Sequence, residues 1–367
     1  MRNLYVDRLR GLGVLMVVLS HASGYIPFMF YDLWDRARTS ISANGYHGVS
    51  IFFTVSGFLI TSKLLAVADT DGRFSIVSFY RGRVARIAPC LVLMVLAGLY
   101  VARLGIDLFA IDGHTVRERL WYIFTFRYNM LSLPGSRIWD VLWSLSVEEV
   151  FYLCFPAFLL FVRNRKVLVS GLVAIVIVGP IMRNITGSPY LYFGNFDEIA
   201  MGVLAALNIG KLQLGSWPLR LLRYGGAFII GANFLWTQDA HACFTWGPTL
   251  MGIGASIYLL GTAKADARPL FAFATLEKFG ELSYEIYLSH MFLLIALYPV
   301  FLSVMNDTPN VQITMGYIWP VVVLVALLSG SKLIYQFYSE PVRLFIRSAR
   351  LPRSRSNERP LIDSYIQ

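Results

Sequence analysis

The stretch "RLRGLGVLMVVLSH", residues Arg8 to His21, predicts the fold class of this chain. Two arginines precede an apolar run that ends in a histidine, and apolar runs of similar length recur along the whole sequence. Of the 367 residues, 56% are hydrophobic and only 15% are charged, a balance that is unusual for a soluble domain. Segments that cross hydrocarbon must satisfy their backbone hydrogen bonds internally, so they are helical. We therefore expect an all-α protein, a polytopic bundle of transmembrane helices.

Hydropathy and segment length predict about ten membrane-spanning helices. The predicted spans are residues 9–29, 46–67, 84–105, 144–163, 167–182, 191–209, 219–236, 244–262, 280–303 and 312–336. Lysine and arginine are concentrated in every second connection, as is typical of loops on the cytoplasmic side. This bias predicts that both termini lie in the cytoplasm.

The chain is predicted to form one transmembrane domain, residues 1–345, followed by a basic and proline-interrupted tail, residues 346–367. We expect the tail to be disordered and attracted to anionic membrane lipid. Positive cytoplasmic loops explain the formal net charge of +10, and no basic and aromatic groove pattern indicates nucleic-acid binding. The cysteines lack the spacing of metal ligands, so no metal site is predicted.

Arg10 and His21 are eleven residues apart. In a helix they share one face, with a rise of about 16 Å between them. If Arg10 lies at the cytoplasmic boundary, His21 lies near the middle of a hydrocarbon layer about 30 Å thick. An ionisable group at that depth usually faces the bundle interior or a wet cavity. The helix alone leaves two interpretations open: a functional imidazole, or a histidine hydrogen-bonded to a neighbouring helix for packing.

Further polar groups interrupt the apolar spans. They are Ser56, Gly57 and Phe58 in "GVSIFFTVSGFLIT"; Arg83 and Arg86 in "FYRGRVARIAP"; Trp143, Ser144, Glu148 and Glu149 in "WSLSVEEVFYLCFP"; Asp197 and Glu198 in "FDEIAMG"; and Tyr284, Tyr287 and His290 in "LSYEIYLSH". Arginine forks at a membrane surface suit phosphate oxygens, and two adjacent acids exceed what a helix cap needs. Each group also has a structural interpretation: close helix packing, positive cytoplasmic charge or capping.

Taken in order, these blocks resemble the acyltransferase 3 family of integral membrane acyltransferases, from about residue 5 to residue 345. The resemblance implies about ten transmembrane helices in a bacterial cytoplasmic (inner) membrane. It also implies acetyl-CoA or another acyl-CoA as a donor substrate, no permanently bound cofactor, and O-acylation of a carbohydrate hydroxyl. Exopolysaccharide, lipopolysaccharide O-antigen and a lipo-chitooligosaccharide of the nodulation type are all compatible acceptors, whether free or lipid-linked. The motifs do not choose among them, nor do they give the acyl group or the oligomeric state.

The resemblance also assigns site residues position by position. His21, Arg10, Glu148 and Glu149 are expected to be catalytic; Arg83, Arg86, Ser56, Gly57 and Phe58 to bind the donor; and Trp143, Ser144, Tyr284, Tyr287 and His290 to bind substrate or support the site. One departure is visible in the ninth span. Relatives often have Trp-His-Trp where Ser289, His290 and Met291 stand in this chain.

We expect the CoA nucleotide to bind near Arg83, Arg86 and Arg10 at the cytoplasmic face, with its thioester carried inward to His21. A buried, neutral His21 would then act as general base for the sugar hydroxyl, or would form an acetyl-histidine intermediate. Glu148 or Glu149 would orient His21 or the acceptor. Two other function classes stay open: a transporter or flippase of lipid-linked sugar, and a non-catalytic membrane interaction protein.

Overall fold

The computed structural model describes residues 3–25, 44–71, 76–104, 115–131, 138–162, 164–236, 240–265, 271–305 and 309–348. Within these ranges all regular structure is helical, which confirms the predicted all-α class. The helices are α1 (Leu4–Tyr25), α2 (His47–Asp71), α3 (Ile76–Arg103), α4 (Val116–Phe124), α5 (Leu142–Phe161), α6 (Arg165–Thr186), α7 (Phe196–Ile209), α8 (Ser216–Leu235), α9 (Ala240–Leu260), α10 (Phe271–Glu281), α11 (Ser283–Met305), α12 (Pro309–Ile334) and α13 (Glu340–Ser348). A π-helical turn, Tyr335–Ser339, joins the last two.

Each of the ten predicted spans overlaps a helix, but fewer helices meet the criteria for crossing a membrane. Six segments of the described chain are long and apolar enough: His47–Ala66, Val77–Arg103, Arg165–Thr186, His241–Leu260, Ser283–Ser303 and Ile318–Ser348. Helix α7 has 14 residues, a length of about 21 Å against a hydrocarbon layer of about 30 Å. The chain is a multi-pass helical membrane protein, and the count of ten spans and the side of each terminus stay predictions.

The start of α5 tests the capping interpretation that the sequence left open for Ser144, Glu148 and Glu149. The helix begins at Leu142, and the residue before it, Val141, makes no side-chain cap. Ser144 therefore lies inside the first turn, where its hydroxyl donates to the carbonyl oxygen of Val141 at 3.1 Å. Glu148 then lies in the second turn, beyond the free N–H groups that a capping acid would satisfy. Capping does not explain the acidic pair.

Several further boundaries differ from the predicted spans; α3, for example, begins at Ile76 and not at residue 84. Span 191–209 begins with a short 3-10 turn, and its α-helix starts at Phe196. Span 280–303 crosses a break at Leu282 between α10 and α11. At the C-terminus, α13 extends into the predicted tail as far as Ser348, and residues 349–367 lie outside the described residues, so their predicted disorder is untested.

Glycines bring the central helices into close contact. A Cβ atom added to Gly202 would clash with the carbonyl oxygen of Thr54, and one added to Gly57 would clash with the carbonyl oxygen of Ile199. Small residues allow helices in lipid to pack backbone against backbone, where van der Waals contact replaces the hydrophobic drive available in water. Helix α2 therefore packs tightly on α7, and it also contacts α1 and α9. The apolar window of α2 is 61% buried while that of α6 is 28% buried, so α2 is central in the bundle and α6 is peripheral.

Candidate active site

A cavity of about 200 Å³ lies between α1, α2, α3, α5 and α11. Its polar lining comprises Arg10, Ser56, Lys63, Arg83, Arg86, Ser144, Glu148, Glu149, Tyr152, Ser283, Tyr284 and Tyr287. Aromatic and aliphatic side chains of α2, including Phe52, Phe53 and Leu59, supply an apolar wall. Nine of the fourteen predicted site residues, from four sequence blocks and the first helix, thus meet around one space.

Arg83 holds the acidic pair of α5 in this cavity. Its Nη2 donates to Glu149 Oε1 at 2.9 Å and lies 3.6 Å from Glu148 Oε1. The same oxygen of Glu148 accepts hydrogen bonds from the Tyr152 hydroxyl, at 2.6 Å, and from the Ser56 hydroxyl. The Arg83 guanidinium lies 3.4 Å from the centroid of the Tyr152 ring, a cation–π contact. Arg83 is therefore engaged by protein groups and orients both carboxylates.

Tyr152 is a site residue that the sequence reasoning missed. It stands four residues after Glu148, so the two share one helix face. The four-residue spacing of Glu148 and Tyr152 in "EEVFY" could have indicated from the sequence that Tyr152 belongs to the site. On the other side of the cavity, the Tyr284 hydroxyl donates to the carbonyl oxygen of Ile87 at 2.7 Å and ties α11 to α3.

A second group pairs the two predicted histidines. His21 Nδ1 and His290 Nε2 are 3.1 Å apart, and their ring centroids are 5.1 Å apart. His290 is fully buried and His21 is half-buried. The residues lie 269 positions apart in sequence, on α1 and α11. The structure therefore brings the ends of two predicted polar stripes into direct contact.

The hydrogen bonds of His290 define the tautomer of His21. His290 Nδ1 lies 2.6 Å from the carbonyl oxygen of Tyr287. A carbonyl oxygen can only accept, so His290 Nδ1 carries a proton, and in the neutral ring His290 Nε2 is an acceptor. His21 Nδ1 must then be the donor, which leaves the lone pair of the neutral His21 ring on Nε2. A base or nucleophile at His21 would act through Nε2.

Tyr287 connects the cavity to the histidine pair. It lines the cavity, its hydroxyl is 2.7 Å from Ser144 Oγ, and its ring centroid is 5.8 Å from that of His290. The two histidines are not among the residues that line the cavity. Among the described residues, no hydrogen bond or ion pair joins Glu148 or Glu149 to His21. The acidic pair thus contacts Arg83 and not the histidines, and Tyr287 lies between the cavity and the histidine pair.

The remaining predicted residues divide between the cavity and the packed core. Arg10 lines the cavity together with Arg86. Gly57 and Phe58 face the core, not the cavity, and Trp143 packs edge-to-face on the Tyr190 ring at 5.0 Å between centroids. The placement of Gly57 and Phe58 favours a structural role for these two residues, while Ser56 of the same block lines the cavity; a role in donor binding stays a prediction.

A separate buried network surrounds Arg183, whose side chain is 0% exposed. Its two terminal nitrogens donate to the two oxygens of Asp197 at 3.0 and 2.9 Å, and its Nε donates to the carbonyl oxygen of Thr245 at 2.9 Å. The Thr249 hydroxyl donates to Asp197 Oδ2 at 2.6 Å. Asp197, predicted as either a cap or a functional residue, is therefore an ion-pair partner that joins α7 to α6 and α9.

Comparison with known proteins agrees over most of the chain. The family described as an acyltransferase domain matches residues 3–330. The chain is 26% identical over 375 residues to the peptidoglycan O-acetyltransferase OatA of Listeria monocytogenes, covering 92% of this chain and 55% of that protein. It is 26% identical over 373 residues to the putative peptidoglycan O-acetyltransferase YrhL of Bacillus subtilis, with coverage of 92% and 54%. A putative O-acetyltransferase of Staphylococcus aureus is 26% identical over 318 residues, with coverage of 78% and 49%. The chain spans about half the length of these relatives, and no solved structure matches it.

Proposed function

This chain belongs to the acyltransferase-domain family that matches residues 3–330, and from this premise we propose that it is a membrane O-acetyltransferase. It moves an acetyl or other short acyl group from acyl-CoA to a hydroxyl of a carbohydrate. The observation that carries the proposal is the contact of His21 with His290 beside a cavity lined by cations at one end and apolar groups along its wall. The family match confirms the resemblance to the acyltransferase 3 family.

The topology that fits this activity has ten membrane passages with both termini in the cytoplasm of a bacterium. In that orientation, Lys63, Arg83 and Arg86 lie at the cytoplasmic end of the cavity, because the α2–α3 connection is on the inside. The cytoplasmic membrane is the location where acyl-CoA meets one face and surface glycans meet the other. The six segments that satisfy length and hydropathy criteria support part of this arrangement.

Acyl-CoA suits the cavity chemically. Its phosphates carry several negative charges, which arginine and lysine bind well, and its pantetheine arm is long and weakly polar. The arm would pass Phe52, Phe53 and Leu59 and bring the thioester to Tyr287. Movement of the Tyr287 ring would then join the cavity to the histidine pair. Glu148 and Glu149 would act in the donor cavity by holding Arg83 and not by orienting His21.

The reaction balances with a single base. His21 Nε2 accepts the proton of the acceptor hydroxyl while the hydroxyl oxygen bonds to the thioester carbonyl carbon. The carbon–sulfur bond breaks, and the leaving thiolate takes the proton from His21 to give the free thiol of CoA. In a relay, His21 Nε2 bonds to the acyl carbon first while the carbon–sulfur bond breaks and the thiolate leaves. The hydroxyl oxygen then bonds to the acyl carbon, the carbon–nitrogen bond breaks, and the hydroxyl proton is passed on to give the free thiol of CoA. Both routes need the lone pair on Nε2.

The acceptor proposed is a carbohydrate. The Listeria monocytogenes relative is named a peptidoglycan O-acetyltransferase and the Bacillus subtilis relative a putative one. Peptidoglycan therefore joins exopolysaccharide, lipopolysaccharide O-antigen and lipo-chitooligosaccharide among the acceptors to be examined.

Two measurements test the function. Purified protein in lipid nanodiscs should bind acetyl-CoA labelled in the acetyl group, and glycans from a deletion strain should lack the mass increment of one acetyl group in mass spectrometry. A transporter of lipid-linked sugar would move the sugar across the membrane and would not bind acetyl-CoA. Counterflow of the sugar without detectable acetyl-CoA binding would contradict the proposal.

The role of His290 makes a separate prediction. We expect His290→Ala to lower kcat by about 100-fold, because His21 loses the acceptor that keeps its proton on Nδ1. His290→Gln should recover part of this loss, since its amide oxygen can accept the same hydrogen bond. The KM for the donor should be unchanged in both variants. Equal kcat values for the alanine and glutamine variants would show that His290 serves packing alone.

A further inference from the structure

Four cations gather near one end of the cavity. Lys63 lies on α2, Arg83 and Arg86 lie on α3, and Arg347 lies on α13. Lys63 lines the cavity together with both α3 arginines. Arg347, Arg83 and Arg86 all lie within electrostatic range of its ammonium group. The sequence blocks that predicted the site include only the two α3 arginines, so α2 and α13 each add a cation to this end.

Three of these cations are exposed and form no ion pair with the described residues: Lys63, Arg86 and Arg347. Arg86 does lie within electrostatic range of Glu285 and Glu149. The ion pairs of this region use Arg83, which contacts Glu149 at 2.9 Å, and Arg343, which contacts Glu340 at 2.5 Å. Clustered like charges repel one another, and such a cluster focuses a positive potential that attracts anions. The arrangement suits a ligand with several phosphate oxygens.

The position of α13 puts Arg347 at the membrane surface. The apolar segment Ile318–Ser348 has 31 residues, a helical length of about 46 Å, which exceeds the hydrocarbon layer by about 16 Å. The charged side chains Arg343 and Arg347 in its last turns favour a position of that end beyond the hydrocarbon, and there α13 packs against α3. No buried residue fixes α13 in the core, and the exposed side chains of Leu344 and Phe345 suit the lipid interface.

We propose that Lys63, Arg86 and Arg347 bind the phosphate groups of the acyl donor's nucleotide, and that α13 forms one wall of this site. The inference rests on the proposed function and adds residues to its donor site. The cations then have two roles. Arg83 holds Glu148 and Glu149, while the three exposed cations contact phosphate. A phosphate on an anionic lipid headgroup has the same chemistry, so the test separates the two sources.

The experiment measures the affinity of the full-length protein for coenzyme A in nanodiscs of neutral phosphatidylcholine. Lys63→Ala and Arg347→Ala should each weaken binding by about 10-fold, the expected loss of one charge-assisted contact at an exposed site. The KM for acetyl-CoA should rise by a similar factor while kcat stays unchanged. Arg220→Ala is the matched control, since it removes an exposed cation of α8 that does not line the cavity.

Unchanged affinity for coenzyme A in both variants would overturn the inference and leave the proposed function intact. Retained affinity for coenzyme A combined with weaker binding to vesicles containing phosphatidylglycerol would also overturn it, and would assign the cations to lipid. Failure of the unaltered protein to bind coenzyme A would overturn the proposed function and this inference with it. A selective loss in the two variants, absent from Arg220→Ala, supports the site.

Discussion

Replacing His21 by alanine is expected to lower the rate of acyl transfer by about 1,000-fold, within the range for loss of a general base. The expectation follows from the hydrogen bonds of the histidine pair, which leave the lone pair on His21 Nε2. Coenzyme A binding should persist, because His21 does not line the cavity that is proposed to hold the donor. The measurement is kcat for transfer from acetyl-CoA, paired with coenzyme A affinity in the same nanodiscs.

His241 provides the matched control for this experiment. It is an exposed histidine at the start of α9, and His241→Ala should retain the full rate. Thermal unfolding of each variant shows whether a lost rate reflects lost folding. A folded His21→Ala protein that keeps the full rate would remove His21 from the chemistry under both the direct and the relay mechanism.

Much of the helical architecture could be predicted from the sequence, because an apolar run long enough to cross a membrane must satisfy its backbone hydrogen bonds within a helix. The break at Leu282 was not predicted, although Gly280 and Ser283 flank it in the sequence. A Cβ added to Gly280 would clash with the carbonyl oxygen of Asp7, so the break accompanies a close approach to α1 that is a tertiary contact. Helix α4 is absent from the predicted spans, although its capping box of Thr115 and Glu118 was visible as a sequence pattern.

The sequence predicted many of the residues that form the candidate site, but it did not predict which of them contact one another. Arg10 and His21 share a helix, so their spacing suggested one site, yet Arg10 lines the cavity while His21 pairs with His290. Helical periodicity gives the face of a side chain but not which distant helix meets it. The same limit explains why Lys63, which precedes the Arg-x-x-Arg block by about twenty residues, was not included.

The network around Arg183 carries the second large prediction, for stability. Asp197→Asn should lower the free energy of unfolding by roughly 3–5 kcal/mol, because it removes the carboxylate that accepts from both terminal nitrogens of the buried guanidinium and leaves only the longer contact with Glu198, at 4.0 Å. Arg183→Met should cost about as much, since Asp197 then becomes the unpaired buried charge. Both residues are 0% exposed, so water cannot replace the missing partner. The measurement is unfolding of the purified variants by sodium dodecyl sulfate titration in mixed micelles.

The double variant Arg183→Met with Asp197→Leu distinguishes a charge effect from a packing effect. The double variant removes the Arg183–Asp197 pair as a unit, while Glu198, 4.0 Å from Arg183 in the unaltered protein, keeps its hydrogen bond from the Ser50 hydroxyl. This variant should therefore be more stable than either single variant. Arg220→Met controls for the arginine-to-methionine change at an exposed position and should alter stability by less than about 0.5 kcal/mol. If the two single losses simply add in the double variant, the ion pair is not the source of the stability, and the contacts of Arg183 with Thr245 and Thr249 must account for it.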